Sequence, residues 1–156
     1  MALNWFKRQS KKKEILTRDG ILVKMHAKDK YEAIEMVGKI LVKQGKVQAS
    51  YIDAMKAREN MLTTYIGNGI AIPHGVGEAK DKIIESGIAV AQFPEGVEFG
   101  ENQKAYLVIG IAGKGDEHLN ILANIASACE DEKKVKKLIN STSADEIYEM
   151  LTEEVS

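Results

Sequence analysis

An uncharged run at residues 105–112 constrains the fold of this chain more than any other feature. The run has the length of a central, buried strand, and it falls far short of the ~20 residues that a membrane-spanning helix needs. A glycine turn at residues 113–115 follows it directly. Further strands are predicted at residues 70–72 and 86–93, and the second of these is expected to end in a turn at residues 94–96.

Two helices are predicted in the first half of the chain. The first follows a predicted strand at residues 21–25, begins at the capping box of Asp29 and Glu32, and stops at Gly45. The second begins near Ser50, whose side chain is predicted to cap it. Its periodicity places four residues on one stripe: Tyr51, Met55, Arg58 and Leu62. The arginine of this stripe therefore shares a face with apolar residues.

Three more helices are predicted after the central strand. Asp116 can cap the first of them, and two shorter helices are predicted at residues 135–139 and from the capping box of Ser143 and Glu146 to Leu151. The first carries four residues on one stripe: His118, Leu122, Ile125 and Cys129. Strands interleaved with helices predict an α/β fold, a single-domain sandwich with a central mixed β-sheet flanked by helices on both faces.

Composition and charge limit the class of protein. The 156 residues carry a formal net charge of −1, which is typical of one globular domain without a basic surface for nucleic acid. The single cysteine, Cys129, cannot form an internal disulfide, and no apolar run resembles a signal peptide or a membrane span. We therefore expect a cytoplasmic protein that neither binds nucleic acid nor inserts into a membrane.

A shift in charge marks one boundary. Residues 1–13 carry five basic residues and no acidic residue, whereas the remainder carries 17 basic and 23 acidic residues. We expect a solvated basic tail at residues 1–13 and one domain at residues 14–156. A weak anchor to a membrane surface or to an acidic partner is the alternative for the tail, because Trp5 and Phe6 lie among its charges.

His74 is the residue best suited to carry chemistry. It follows Pro73, whose ring fixes φ and offers no N–H to a ladder, and it precedes Gly75, which leaves room for an approaching group. This pattern predicts a strand end that presents an imidazole, and a neutral imidazole is a good nucleophile. The alternative is a histidine that is merely packed or solvated.

Two residues are candidates for partners of His74. His118 is predicted in the first turn of a helix that follows a buried strand, where free N–H groups and the helix dipole attract anions such as phosphate. Arg58 can supply a positive charge. Each has a structural alternative: His118 can pack on the core stripe of its own helix, and Arg58 can extend from a helix end into solvent.

The spacing of the remaining motifs argues against other sites. The glycine segments at residues 67–69 and 113–115 complete neither a dinucleotide fingerprint nor a P-loop. His74, His118 and Cys129 lack the spacing of zinc ligands. Cys129 is best explained as a small core residue, because acidic residues follow it and a reactive thiolate needs cationic neighbours. We therefore expect neither a metal nor a cofactor.

The ordered set of motifs resembles one family, the enzyme IIA components of the mannitol and fructose branch of the bacterial phosphoenolpyruvate-dependent sugar phosphotransferase system. The resemblance spans residues 15–151. It rests on YIDAMKARE at 51–59, TYIG at 64–67, GIAIPHG at 69–75 and IGIAGKGDEHL at 109–119. The end of the last segment and GVEFG at 96–100 are most similar to stand-alone mannitol-type members.

The resemblance implies a phosphoryl carrier. By this comparison His74 would carry the phosphoryl group, His118 would be the second active-site histidine, and Arg58 the cation beside them. The donor would be the phosphocarrier HPr, and the acceptor a cysteine on the IIB component of a mannitol permease. Two successive partners would use one largely apolar face, and its acidic rim is expected to include three residues: Glu59, Asp116 and Glu117.

Other functions stay open at this point. A regulatory protein of the same fold, linked to nitrogen or to transcription, would use the same chemistry at His74. A IIA component for fructose or another polyol would differ in its partner. A non-catalytic interaction module would leave His74 with a structural role. The segment at residues 113–119 and the lack of a helix-turn-helix motif favour sugar transport.

Overall fold

A five-stranded mixed sheet forms the centre of the computed structural model, which describes residues 14–75, 77–116 and 119–152. Its strands are β1 (Ile21–Leu22), β2 (Tyr65–Gly67), β3 (Ile70–Ala71), β4 (Gly87–Gly100) and β5 (Gln103–Ala112). They lie in the order β1-β4-β5-β3-β2. The β1–β4 and β3–β5 pairs are parallel, whereas the β4–β5 and β2–β3 pairs are antiparallel. The predicted mixed sheet is confirmed.

Helices cover both faces of this sheet. One face packs against α1 (Lys30–Lys43) and α2 (Tyr51–Met61), and the other against α3 (Leu119–Glu130), α4 (Glu132–Asn140) and α5 (Ala144–Thr152). The predicted capping boxes are confirmed, since Asp29 accepts from the N–H of Glu32 and Ser143 from that of Glu146. Gly45 follows α1 with a φ of +74°, which glycine adopts at little cost.

Side chains of β4 point alternately to the two helical layers. Ala89 and Ala91 pack against α1 and α2, whereas Ile88 and Val90 pack against α3, α4 and α5. This alternation follows from the two-residue repeat of a strand. The same division continues in β5, so the long central strands are buried on both faces, as their apolar sequences predict.

Small residues on one face let α1 and α2 approach the sheet closely. At Gly110 of β5, a Cβ would lie 2.7 Å from Cγ2 of Val37 on α1 and 3.4 Å from Cε of Met55 on α2. Interiors packed to this density tolerate little added volume. The absence of a side chain at Gly110 therefore sets the distance between β5 and these helices.

The turn predicted at residues 94–96 is wrong. β4 continues through this segment to Gly100, and its pairing with β5 shifts register between Gln92 and Val97. Gly96 has a φ of +80°, which is typical of a bulge. A bulge lets β4 accommodate Pro94 and still pair with β5, because the proline at the bulge does not have to donate a backbone hydrogen bond to the partner strand.

Three local details also differ from the prediction. The strand predicted at residues 21–25 has only two residues, because Lys24 adopts a left-handed φ of +56° that interrupts it. The side chain of Ser50 makes no capping bond and instead accepts from Nζ of Lys82 at 3.1 Å. Leu62, predicted on the buried stripe of α2, is 68% exposed because it follows the end of the helix.

Candidate active site

His74 lies where the chain leaves the sheet beside the end of β5. The carbonyl of Pro73 accepts from the N–H of Ile111 at 2.9 Å, and His74 forms a parallel bridge with Ile111. Proline suits its position because this pairing uses its carbonyl and requires no N–H. His74 is half-buried there. Its predicted place at a strand end is confirmed.

The backbone engages one ring nitrogen of His74. Nδ1 lies 2.8 Å from the carbonyl oxygen of Ile72. Because a carbonyl oxygen only accepts hydrogen bonds, Nδ1 must carry the proton in this arrangement. In the neutral ring, Nε2 then holds an unshared electron pair. The geometry therefore leaves Nε2 as the ring nitrogen able to act as a nucleophile, a point that the sequence leaves open.

Tyr51 holds the chain on the other side of His74. Its buried hydroxyl donates to the carbonyl of Ile111 at 2.8 Å and accepts from the N–H of Gly75 at 2.9 Å. Burial raises the pKa of Tyr51, and the hydrogen bond from Gly75 offsets this only in part, so the hydroxyl keeps its proton. A Cβ at Gly75 would lie 2.6 Å from Cε1 of Tyr51. The sequence places Tyr51 on a core stripe, and no spacing signals the role of its hydroxyl.

A cavity of about 250 Å³ opens beside His74. Tyr51 and Leu122 belong to its lining, and Lys80 adds a positive charge that sequence analysis did not identify. The apolar part of the wall is formed by Ile72, Ile83, Ile111 and Leu122. A partly apolar hollow of this kind can receive a side chain of a partner and limits water at the imidazole.

Arg58 precedes β2 and β3, the two strands that lead to His74. It is half-buried near the end of α2, and its guanidinium donates to the carbonyl of Leu62. The loop after α2 reaches Thr64, whose carbonyl accepts from the N–H of Ile72 at 3.0 Å. The fold therefore brings the Arg58 segment to the strand end that carries His74. Within the described residues the guanidinium hydrogen-bonds to the loop and not to the imidazole.

His118 and Glu117 lie outside the described residues, so their predicted roles stay predictions. The helix predicted to follow them is present and begins at Leu119, whose N–H bonds to the carbonyl of Asp116 at 3.2 Å. Leu122, on the stripe predicted for His118, lines the His74 cavity. The first turns of α3 therefore border the site.

Glu59 is buried, and its predicted place on the rim of a docking face is wrong. Its Oε2 lies 3.1 Å from Nζ of Lys30, and its Oε1 accepts from the N–H and hydroxyl of Thr64 at 2.8 and 2.7 Å. Burial alone would raise the pKa of Glu59, but hydrogen bonds from Thr63, Thr64 and Lys30 outweigh it and hold this pKa below its ordinary value. Asp116, by contrast, is exposed as expected.

Cys129 has the environment of a core residue. Burial, followed by the charge of Glu130, raises the pKa of its thiol to about 11, so little thiolate forms at neutral pH. Across residues 14–75, 77–116 and 119–152, no three His, Cys, Asp or Glu side chains come together as a metal site. In the same residues no helix combines the length and the apolar character required to cross a bilayer.

Fold and site together define a small α/β protein that presents the imidazole of His74 at a strand end, beside a partly apolar cavity. Among known proteins this arrangement has a clear match. The chain belongs to the family described as the phosphoenolpyruvate-dependent sugar phosphotransferase system, EIIA 2, whose pattern matches residues 14–154. The family resemblance inferred from the sequence motifs is therefore confirmed.

Two relatives illustrate the match. The mannitol-specific phosphotransferase enzyme IIA component of Geobacillus stearothermophilus is 45% identical over 139 residues, covering 89% of this chain and 96% of that protein. The mannitol-specific EIICBA component of Buchnera aphidicola is 46% identical over 141 residues, covering 89% of this chain. This match covers 22% of the Buchnera protein, so the chain corresponds to about a fifth of its length.

Solved structures agree with the fold. The crystal structure of the mannitol IIA from Escherichia coli superposes with a TM-score of 0.81 at 41% identity, covering 89% of this chain and 100% of that one. A complex of the mannitol enzyme IIA with phosphorylated enzyme IIB, also from Escherichia coli, gives a TM-score of 0.81 at 40% identity. The match to the complex covers 88% of this chain and 98% of that one.

Proposed function

We propose that this protein relays phosphoryl groups in mannitol uptake and that His74 is the residue that carries them. The donor is phospho-HPr, and the acceptor is a cysteine on the IIB component of a mannitol permease. Membership of the sugar phosphotransferase family supports the reaction class. The single observation that carries the assignment of His74 is the 2.8 Å contact between its Nδ1 and the carbonyl of Ile72, which leaves Nε2 free to react.

Each transfer exchanges one bond to phosphorus for another. In the first step, the electron pair on Nε2 of His74 attacks the phosphorus, and the phosphorus–nitrogen bond of the donor phosphohistidine breaks. In the second step, a thiolate sulfur of the acceptor attacks, and the bond to Nε2 breaks, which returns the electron pair to the ring. Neither step requires a separate base on this chain, because Nε2 in the first step and the thiolate sulfur in the second are already unprotonated.

Positive groups near His74 would stabilise the phosphoryl oxygens during transfer. Arg58 donates to the neutral carbonyl of Leu62, and we propose that it turns to the charged phosphoryl group instead, because a charge-assisted hydrogen bond is roughly twice as strong as a neutral one. We propose the same role for a ring N–H of His118, which directly precedes α3. Both assignments rest on the motif match; for His118, the position of Leu122 of α3 in the wall of the His74 cavity adds support.

Apolar side chains near the site suit transient docking of two partners in turn. Met61 and Leu62, three and four residues after Arg58, are 75% and 68% exposed, and Leu119 at the start of α3 is 52% exposed. Exposed apolar residues that cluster around a functional group mark an interaction surface. Asp116 is an exposed acidic residue beside this surface and suits a basic donor.

The names of the relatives favour mannitol as the sugar. Relatives at 42 to 46% identity are mannitol-specific components, and one solved structure pairs a mannitol IIA with phosphorylated IIB. The main alternative is a regulatory phosphohistidine protein, because a nitrogen regulatory IIA from Neisseria meningitidis shares the fold at 25% identity with a TM-score of 0.75. The higher identity to the mannitol proteins favours transport over regulation.

A phosphoryl-transfer assay tests the proposal. We expect phosphoenolpyruvate, enzyme I and HPr to add one acid-labile phosphoryl group to the wild-type protein, and a mannitol IIB to remove it. His74→Gln should abolish the addition, whereas His26→Gln should leave it intact, because His26 is an exposed histidine paired with Glu95 at 3.5 Å. A label that persists in His74→Gln would overturn the assignment. Transfer to a fructose IIB but not to a mannitol IIB would overturn the assignment of mannitol as the sugar.

Two further predictions accompany this function. The basic tail at residues 1–13 lies outside the described residues, and the division into this tail and a domain at 14–156 stays a prediction. The cytoplasmic location of the protein also stays a prediction.

A further inference from the structure

A buried ionic cluster lies next to the loop that leads to the active-site strand. It consists of Lys30 on α1, Glu59 on α2, and Thr63 and Thr64 in the loop, and we call it the Glu59 cluster. The side chain of Glu59 is fully buried, and Lys30 donates both to its Oε2 and to the carbonyl of Phe99, each at 3.1 Å. A charge buried to this degree is costly unless it is paired and hydrogen-bonded. The cluster therefore needs each of its donors.

Thr64 donates hydrogen bonds to the other oxygen of this carboxylate. Its N–H and its hydroxyl both donate to Oε1 of Glu59, at 2.8 and 2.7 Å. Two bonds from one residue to one oxygen fix both the position and the orientation of that residue. The carboxylate thus pins the loop directly after α2 at Thr64.

The pinned loop continues to His74 through backbone hydrogen bonds. The carbonyl of Thr64 accepts from the N–H of Ile72 at 3.0 Å, and the carbonyl of Ile72 lies 2.8 Å from Nδ1 of His74. Ile72 therefore lies between the Glu59 cluster and the imidazole. The carbonyl that decides which ring nitrogen carries the proton belongs to a residue held in place by Thr64.

From this geometry we infer that Glu59 is a positioning residue for His74: through Thr64 and Ile72 it holds the imidazole in the tautomer that leaves Nε2 unprotonated. The inference rests on the proposed function for the importance of Nε2. Glu59 touches neither the imidazole nor the transferred group. Its effect is to keep the Ile72 carbonyl aimed at Nδ1, because a loosened carbonyl lets the proton move to Nε2, where it blocks attack.

Two substitutions at Thr64 provide the sharpest test. Thr64→Val keeps the shape and the N–H but removes the hydroxyl that Glu59 accepts from, and Thr64→Ser restores the hydroxyl. Thr17→Val is the matched control, because the Thr17 hydroxyl accepts from Gln44 at 3.1 Å near β1, at the opposite edge of the sheet. Lys30→Met is a second variant that perturbs the Glu59 cluster from a partly exposed side chain.

Two measurements distinguish a positioning role of Glu59 from a general loss of stability. Ring ¹⁵N chemical shifts give the tautomer of His74, and the rate of phosphoryl acceptance at saturating phospho-HPr gives its reactivity. We expect Thr64→Val to raise the ratio of the Nε2-protonated to the Nδ1-protonated tautomer by up to about fivefold, the limit reached if the whole free energy of one net hydrogen bond is transmitted to His74, and to slow acceptance. Thr64→Ser should return both values toward wild type, and Thr17→Val should change neither.

Specific results would overturn the inference. A wild-type tautomer ratio in folded Thr64→Val, or in folded Lys30→Met if Thr64→Val fails to fold, would exclude the positioning role. An equal change in Thr17→Val would show that the effect is merely loss of stability. The tautomer measurement does not depend on phosphorylation, so a failure of His74 to accept a phosphoryl group would overturn the proposed function and leave this result interpretable.

Discussion

The two faces of the sheet differ in the strand side chains that they bury and in where their hydrogen bonds lie. Under α3, α4 and α5 the strands present mostly branched aliphatic side chains, and Gln92 of β4 donates to the carbonyls of Leu138, Ile139 and Ser141 at 3.2, 3.0 and 2.6 Å. Under α1 and α2 the strands present several alanines beside larger side chains such as Phe93 and Phe99, and this face carries the hydrogen bonds of Tyr51 and Glu59. The pKa values of one ionisable group on each face shift in opposite directions. Burial raises the pKa of Cys129 on the first face, whereas hydrogen bonds lower that of Glu59 on the second despite its burial.

The comparison teaches that both sides of the molecule supply apolar burial, whereas the side-chain hydrogen bonds next to His74 come from one of them. The residues that hold the His74 strand end, Tyr51 and Thr64, lie on α2 or in the loop after it. A hydrogen bond fixes direction as well as distance, whereas an apolar contact is largely non-directional. The hydrogen bonds on the side of α1 and α2 are therefore suited to aim the strand end that carries His74.

The largest expected effect on stability lies on the aliphatic face. Ile147 on α5 is fully buried. Ile147→Ala removes buried carbon atoms and leaves a cavity, and we expect it to lower the free energy of unfolding by about 2–5 kcal/mol. The rate of phosphoryl acceptance by the remaining folded protein should stay at the wild-type value. Urea unfolding and an assay at low temperature measure the two quantities, and a matching loss of rate would contradict the division between the faces.

A smaller loss of stability with a larger loss of activity is expected on the other face. Tyr51→Phe leaves the carbonyl of Ile111 and the N–H of Gly75 without their partner, which should cost about 1–3 kcal/mol. Phosphoryl acceptance should slow, because the chain after His74 is no longer held. Tyr148→Phe is the matched control, since it removes a hydroxyl that donates to Glu14 at 2.9 Å. Equal rates in the two variants would count against a role for the Tyr51 hydroxyl.

The smallest expected change is a dependence of stability on pH. The pKa of Glu59 is lower in the folded protein than its ordinary value of 4.5, so the unfolded chain binds more protons in the acid range. The stability that Glu59 contributes is therefore fully present above pH 4.5 and is lost as the pH falls through its folded pKa. The difference in melting temperature between wild type and Glu59→Gln should be greatest near pH 7 and should shrink in acid. A difference in melting temperature that grows on acidification would show that the pKa of Glu59 is raised, not lowered, by folding.

Much of the fold could be predicted from the sequence because its signals are local. The cap of α1 joins Asp29 to a residue three positions later, and the apolar sequence of β5 is enough to predict that this strand is buried. The bulge at Gly96 could not be predicted, because a proline and a glycine signal a turn unless a partner strand continues past them.

The site shows the same limit. The sequence identifies His74 from its proline and glycine neighbours, yet it misplaces Glu59 on the surface, because the Lys30 that pairs with it lies 29 residues away. The bond between Tyr51 and Ile111 spans 60 residues and has no sequence signature.

The sequence by itself determined where helices begin, which strands are buried and which histidine follows a proline at a strand end, since each depends on neighbours within a few residues. Only the tertiary structure decided which ring nitrogen of His74 is free, which residues hold it and which acidic side chain is buried. The physical reason is that hydrogen bonds and ion pairs depend on distances in space. Folding sets those distances between residues that are far apart along the chain.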